Sequence, residues 1–147
     1  MKLEDSIKIK CKPEKIYNWL TNFFTKKYKI WHPRDHLSAK WIKGKNFEVG
    51  SVMYAEEYLG RKLEKLSAKT IKNTRNKLIE YKFLFPHSII SSGGSFAIKP
   101  HKNGSIFTAT LDFRFGAILS KLMPSKVEVL KKHMKEEGEN LKKLLEK

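Results

Sequence analysis

A single cysteine, Cys11, is all the thiol this chain carries. No internal disulfide can form, so the composition predicts a protein of the reducing cytoplasm with Cys11 as a small buried residue at a strand end. Arginine is scarce as well: of 31 basic residues only four are arginines, Arg34, Arg61, Arg75 and Arg114. Nucleic-acid readers lean on arginine for bidentate contacts to bases and phosphates. Zinc-finger spacing, an RNP motif and a basic zipper are all missing. The net charge of +16 therefore reads as a coat of scattered lysines, and no specific nucleic-acid partner is expected. No apolar run approaches the roughly 18 residues of a membrane span, and the opening MKLEDSIKIK has no apolar signal core. No serine or cysteine has a recognisable nucleophile elbow. No glycine-rich phosphate loop follows a strand, since Gly93-Gly94 reads as a turn or bulge in a sheet-like region.

What is present suffices for one domain, residues 1–147, with apolar residues making up 40% and spread evenly. Ile7 and Ile9 alternate with lysines in a first strand. Pro13 opens a helix whose apolar face is Ile16, Trp19, Leu20, Phe23 and Phe24. A second short helical segment is expected from Tyr28 to Leu37. From Ala39 to Phe115 the text is strands broken by turn signals at Lys43 to Asn46, Gly60-Arg61, Asn73 to Asn76, Ser91 to Gly94 and Asn103-Gly104. LEKLSAKTI and KLIEYKFLF make one hairpin, SFAIKP and SIFTATLDFRF another. The last element is a helix from about Lys126 to Glu146 with the stripe Val127, Leu130, Met134, Leu141, Leu144 and Leu145. Gly138 costs that helix about 1 kcal/mol relative to alanine, but the periodicity on both sides carries the helix through it.

Glu137 falls on that stripe where a leucine would be expected, with His133 one turn before it. A carboxylate among apolar side chains needs a cation, a donor or a metal, and His-x-x-x-Glu on one helix face is a natural half-site for a metal. WHPRDH supplies His32 and His36, four apart. YAEEYLG supplies Glu56 and Glu57 in a strand whose faces are both partly apolar, so alternation does not choose between the two. Asp35 is suited to hold the second nitrogen of a ligating histidine. His87 and His101 border strand ends or turns and read as surface residues, His87 being the nearer to an apolar strand.

Strand, helix pair, antiparallel strands and a long last helix resemble the START, pollen-allergen and polyketide-cyclase superfamily. That resemblance implies an α+β helix-grip fold: a curved antiparallel sheet wrapped around the C-terminal helix, with two short helices after the first strand and a cavity between sheet and helix. The segments WHPRDH, EYLGRKL, GGSF and HMKEEGENLK are similar to the diacetylphloroglucinol hydrolase family, zinc-dependent enzymes that break a carbon–carbon bond. The likeness implies metal ligands His133 and Glu137 from the last helix, Glu57 from the strand, and His32 with His36 as the competing choice.

Two histidines and two carboxylates without thiolate suit Zn2+ best, iron or manganese less well. The expected activity is hydrolysis of a small acylated phenol or related ketone at the carbon–carbon bond by metal-activated water. The expected partner is a small aromatic or apolar molecule. Tyr28, Asp35 and Tyr58 are the candidate catalytic groups, with Tyr54 and Tyr81 as further phenols. The alternative is a non-enzymatic carrier using the same cavity, and the residues set no oligomeric state, a homodimer among the options. The lysine coat predicts no tight, sequence-selective complex with DNA or RNA near physiological salt. A fluorescence-anisotropy titration checks this, and sub-micromolar selective binding would overturn it.

Overall fold

Leucine and isoleucine alternating with charged residues make the opening segment a half-buried strand. In a computed structural model of the chain it is β1 (Lys2–Ile9), with Leu3 and Ile9 buried. The structure describes residues 1–22 and 25–147; Phe23 and Phe24, read above as part of a helical face, lie outside the described residues. Then come α1 (Pro13–Thr21), α2 (Thr25–Trp31), β2 (His36–Lys43), β3 (Val52–Leu59), β4 (Lys62–Thr74) and β5 (Leu78–Phe83). A 3-10 turn at His87–Ile89 leads to β6 (Ser91–His101), β7 (Gly104–Phe113), α3 (Gly116–Leu122) and α4 (Pro124–Leu145).

The described residues form one seven-stranded sheet in the order β1-β7-β6-β5-β4-β3-β2, with every neighbouring pair antiparallel. The curved sheet grips α4, the α+β arrangement that the element order predicts. In α1, Pro13 occupies the first turn, where a missing N–H costs nothing, and Ile16 and Leu20, one turn apart, are fully buried. No helix of the described residues is long and apolar enough to cross a membrane.

Three boundaries differ from the sequence expectation. The second helix spans Thr25–Trp31 and not Tyr28 to Leu37. Pro33 disfavours helical geometry at His32, so the chain turns there and enters β2 at His36. Ser91 to Gly94 is not a turn but the start of β6, with a register shift between Ser91 and Gly93; the turn precedes it. The last helix starts at Pro124, a proline being tolerated in a first helical turn. Helix α3 has no sequence forecast, because its apolar residues do not fall on one buried stripe. Cys11 lies beyond the end of β1 and is half-buried, not buried.

Helix α4 buries Val127, Met134, Leu141 and Leu145 and is fastened at its end, where Lys15 Nζ donates to the Leu145 carbonyl at 2.8 Å and Lys142 Nζ to that of Lys8 at 2.9 Å. At Gly138 the helix packs closely against β1. A Cβ there would stand 3.0 Å from Asp5 Oδ2 and 3.4 Å from Ile7 Cγ2, so the propensity cost of glycine is offset by close packing. Gly138→Leu is expected to destabilise the protein by about 2–3 kcal/mol through overpacking, read as a lower urea midpoint. An unchanged midpoint would mean that α4 can lift from β1 freely.

Candidate functional site

Strand register builds the site. His36 on β2 pairs with Glu57 on β3, and Glu57 pairs with Glu64 on β4, so the three stand in a row on one face. From the other side α4 presents His133 and Glu137, one turn apart. Between them lies a cavity of about 220 Å³ whose wall is mostly apolar, including Met53, Leu66, Phe83, Phe96 and Leu111. A cavity of roughly 150 Å³ holds a benzene, so this one suits a single substituted ring.

His36 Nε2 stands 3.5 Å from Glu57 Oε2 and 3.5 Å from Glu137 Oε2; His133 Nε2 stands 3.2 Å from Glu137 Oε1 and 3.8 Å from Glu57 Oε2. The hydrogen-bond network assigns both tautomers. His36 Nδ1 donates to the Tyr28 carbonyl at 2.8 Å, and His133 Nδ1 donates to Asp35 Oδ2 at 3.2 Å, so each Nε2 faces the carboxylates, where it can carry a proton or ligate a metal. His36 Nε2 is buried without a hydrogen-bond partner. The Tyr28 ring stacks on His36 at 3.8 Å and 6° between planes, and its hydroxyl donates to Glu57 Oε2. Asp35 is itself held by Arg34, whose Nε donates to Oδ1 at 3.1 Å.

Of the two histidines left open, His36 faces the carboxylate pair. His32 is buried one layer behind: its Nδ1 accepts the Asp35 backbone N–H at 3.3 Å, its Nε2 stands 3.6 Å from Asp35 Oδ2, and its ring stacks on His133 at 4.7 Å. Of the two glutamates, Glu57 points in, while Glu56 accepts from the Tyr54 hydroxyl at 2.8 Å and does not line the cavity. Tyr58 is a correction: alternation that turns Glu57 inward turns Tyr58 outward, and it is exposed and off the cavity. Tyr81 lines the cavity instead, and its hydroxyl makes no hydrogen bond among the described residues. Gly94 makes room for it, since a Cβ there would crowd the Tyr81 phenol at 2.8 Å.

Burial pushes Glu57 above the ordinary carboxylate range against the pull of His133 and His36. Burial also acts on Glu137, but His133 and His36 outweigh it and hold it below that range. For His133, burial is outweighed by Glu137, Glu57 and Asp35, so its value is raised. Burial raises Tyr28 strongly, with Glu57 adding to it, and also raises Tyr81. Donors at about 2.1 Å around a tetrahedral centre lie about 3.4 Å apart. His36, His133 and Glu137 each offer a ligand atom within 4.8 Å of the others, and Glu57 Oε2 stands 3.5 and 3.8 Å from the two Nε2 atoms, so these four residues could hold a metal; a second group, His32, Asp35 and His133, converges within the same distance.

Sequence reasoning passed over a second polar pair. His87 Nε2 meets Glu64 Oε2 at 2.9 Å, and both residues line the cavity; His87 is therefore half-buried and not a surface residue. The available signal was Glu64 sharing strand parity with Leu66 and Ala68. Burial pushes Glu64 up, but the His87 hydrogen bond and Lys62 outweigh it and hold it below its ordinary 4.5. Its stabilising contribution is full above that value and is lost as pH falls through the lower folded one. Glu64→Gln should cost about 1 kcal/mol at neutral pH, with the gap to wild type closing by about pH 3, measured by thermal unfolding at both. A gap constant with pH would refute a charged pair.

Comparison with protein families gives a match over residues 1–146 to the family described as polyketide cyclase / dehydrase and lipid transport. Comparison with curated protein sequences gives no match. Solved structures share the fold. The KanY protein superposes with a TM-score of 0.77 at 14% identity, covering 100% of this chain and 98% of its own. The protein TTHA0849 from Thermus thermophilus gives 0.74 at 11%, covering 99% and 97%. Norcoclaurine synthase from Thalictrum flavum, solved with dopamine and hydroxybenzaldehyde, gives 0.69 at 10%, covering 98% and 85%. Identities this low establish the shared fold alone.

Proposed function

This chain belongs to the polyketide cyclase, dehydrase and lipid transport family, and on that footing we propose that it is a metal-dependent hydrolase, zinc being the metal, that cleaves the carbon–carbon bond between an acyl group and a phenolic ring. The observation that carries the reading is the convergence of two imidazole Nε2 atoms and two carboxylates beside a one-ring cavity that His133, Glu57 and Glu137 line. His36 Nε2, buried without a hydrogen-bond partner and facing both carboxylates, fits a ligand better than a structural histidine, which would be hydrogen-bonded; His32 Nε2 is likewise without a partner but faces Asp35 and Glu136. The likeness of WHPRDH, EYLGRKL and HMKEEGENLK to the diacetylphloroglucinol hydrolases points the same way.

A bound divalent metal supplies Lewis acidity for a ketone oxygen and lowers the pKa of water. The chain's own residues do the rest. The apolar wall excludes bulk water and holds the ring. Tyr81, with an unused hydroxyl, orients a ring substituent. The Tyr28 hydroxyl donates to Glu57 Oε2 and holds that carboxylate in place, and Glu57, raised by burial, would take the proton released from water and pass it to the ring carbon. Water is consumed, the acyl group leaves as a carboxylic acid, and the ring leaves as the free phenol. Asp35 positions His133 and touches no reacting atom.

Metal analysis of protein purified without chelator or metal-binding tag tests the proposal. About one zinc per chain is expected, lost in His36→Ala, His133→Ala and Glu137→Gln together with hydrolysis of acylated phenols. Asp35→Asn should weaken metal binding about 10–100-fold, and His32→Ala should keep most of the metal. If wild type binds metal no better than Glu137→Gln, the hydrolase reading fails. A carrier of a small apolar ligand is then the better account, because the mostly apolar cavity needs no metal to hold one.

A further inference from the structure

Large apolar side chains left in solvent gather on one face. Phe85, Ile89 and Ile90 on the β5–β6 connection, with Ile118, Leu122 and Met123 on α3 and its end, are 40–78% exposed. The two segments are joined: the Arg114 backbone N–H donates to the Ile90 carbonyl at 2.8 Å and its Nε to that of Ser88 at 3.1 Å. Ile90 shares a crevice with Leu119 and Met123. Ile90 and Lys126 also line the cavity, so the patch borders it.

The charge carried by the two segments themselves is of one sign. Residues 81–90 and 113–127 contain no aspartate or glutamate and carry Lys82, Arg114, Lys121 and Lys126. Helix α3 turns Leu119 inward while Ile118 and Leu122 face out beside exposed Lys121. An apolar outer face flanked by lysine is the composition of an element that lies in a membrane interface. A water-facing helix would carry the opposite pattern.

We propose that this face docks the protein on an anionic lipid bilayer, with α3 and the β5–β6 connection entering the headgroup layer. The basic side chains of these segments, Lys82, Arg114, Lys121 and Lys126, complement a negative plane, and the apolar side chains offer contact area within it. Docking there sets the cavity against the bilayer, so an apolar ligand can exchange without crossing water. The inference does not depend on the metal reading.

Vesicle co-sedimentation of the full chain near physiological salt is the test. Phosphatidylcholine vesicles are compared with vesicles containing roughly one third phosphatidylglycerol. Wild type should bind the anionic vesicles and not the neutral ones. The double variant Ile118→Asp/Leu122→Asp should lower binding about tenfold or more. Ile42→Asp/Val49→Asp carries the same charge change at positions 56% and 65% exposed elsewhere, and should lower it by about twofold at most. Equal losses in the two pairs would reduce the effect to general electrostatics and overturn the proposal. Absence of wild-type binding to anionic vesicles, or equal binding to neutral ones, would overturn it too. Circular dichroism checks folding, and Leu122→Ser, at a position 73% exposed, repeats the test with an expected loss of about threefold should the double variant not fold.

Discussion

Glu57 and Glu137 stand in a cavity whose wall is mostly apolar, and the cost of an uncompensated charge there governs the arrangement around them. An unpaired buried carboxylate costs several kcal/mol, and two that face each other add repulsion. His36 and His133 supply the compensation, but unequally. Glu137 has His133 at 3.2 Å and His36 at 3.5 Å and is held low; Glu57 has His36 at 3.5 Å and His133 at 3.8 Å, but burial outweighs them and keeps it high. Two carboxylates in one pocket are thus pushed apart in proton affinity, the condition under which one keeps its charge while the other more readily takes a proton.

Holding two imidazoles in register with two carboxylates requires rigid rings, and one short helix does most of that. Tyr28 stacks on His36 and takes its Nδ1 proton on its own carbonyl. Trp31, one turn on, meets His36 edge-on at 5.6 Å and donates through Nε1 to the Glu137 carbonyl at 2.9 Å. Helix α2 therefore ties β2 to α4 at the level of the cluster. The Tyr58 backbone N–H, donating to the Asp35 carbonyl at 2.8 Å, ties β3 to the same turn. Site geometry and tertiary packing are here the same set of contacts.

Where the sequence was legible, a long period exposed the anomaly: Glu137 interrupts an apolar stripe that recurs over five turns, and the fold followed from element order. The same logic applied to KLEKLSA would have found Glu64, but lysines on both sides of it and a short two-residue period hid the pattern. Spacing pairs His32 and His36 as neighbours on a helix. They are neighbours because the chain folds back, the His36 N–H donating to the His32 carbonyl at 2.8 Å, and Pro33 ends the helix before either. Tyr58 was excluded in principle as soon as Glu57 was taken to point inward, since adjacent strand residues face opposite ways. Which imidazole nitrogen is free depends on backbone carbonyls and on Asp35, partners brought in from elsewhere in the fold and invisible to spacing.

The placement of acids divides the electrostatics of the molecule in two. Of the 15 acidic residues, Asp35, Glu57, Glu64 and Glu137 are at the cavity or behind it, so the exterior is more basic than the net charge alone conveys. Lysines outside raise the local concentration of anionic molecules, while the acids of the interior oppose them. Negative charge developing on a ligand inside would then meet Glu57 and Glu137 in a medium of low dielectric, where repulsion is strong. Any chemistry that places an anion on the ligand therefore depends on a cation set between the two carboxylates. The side chains positioned to share or replace that cation are His36 and His133.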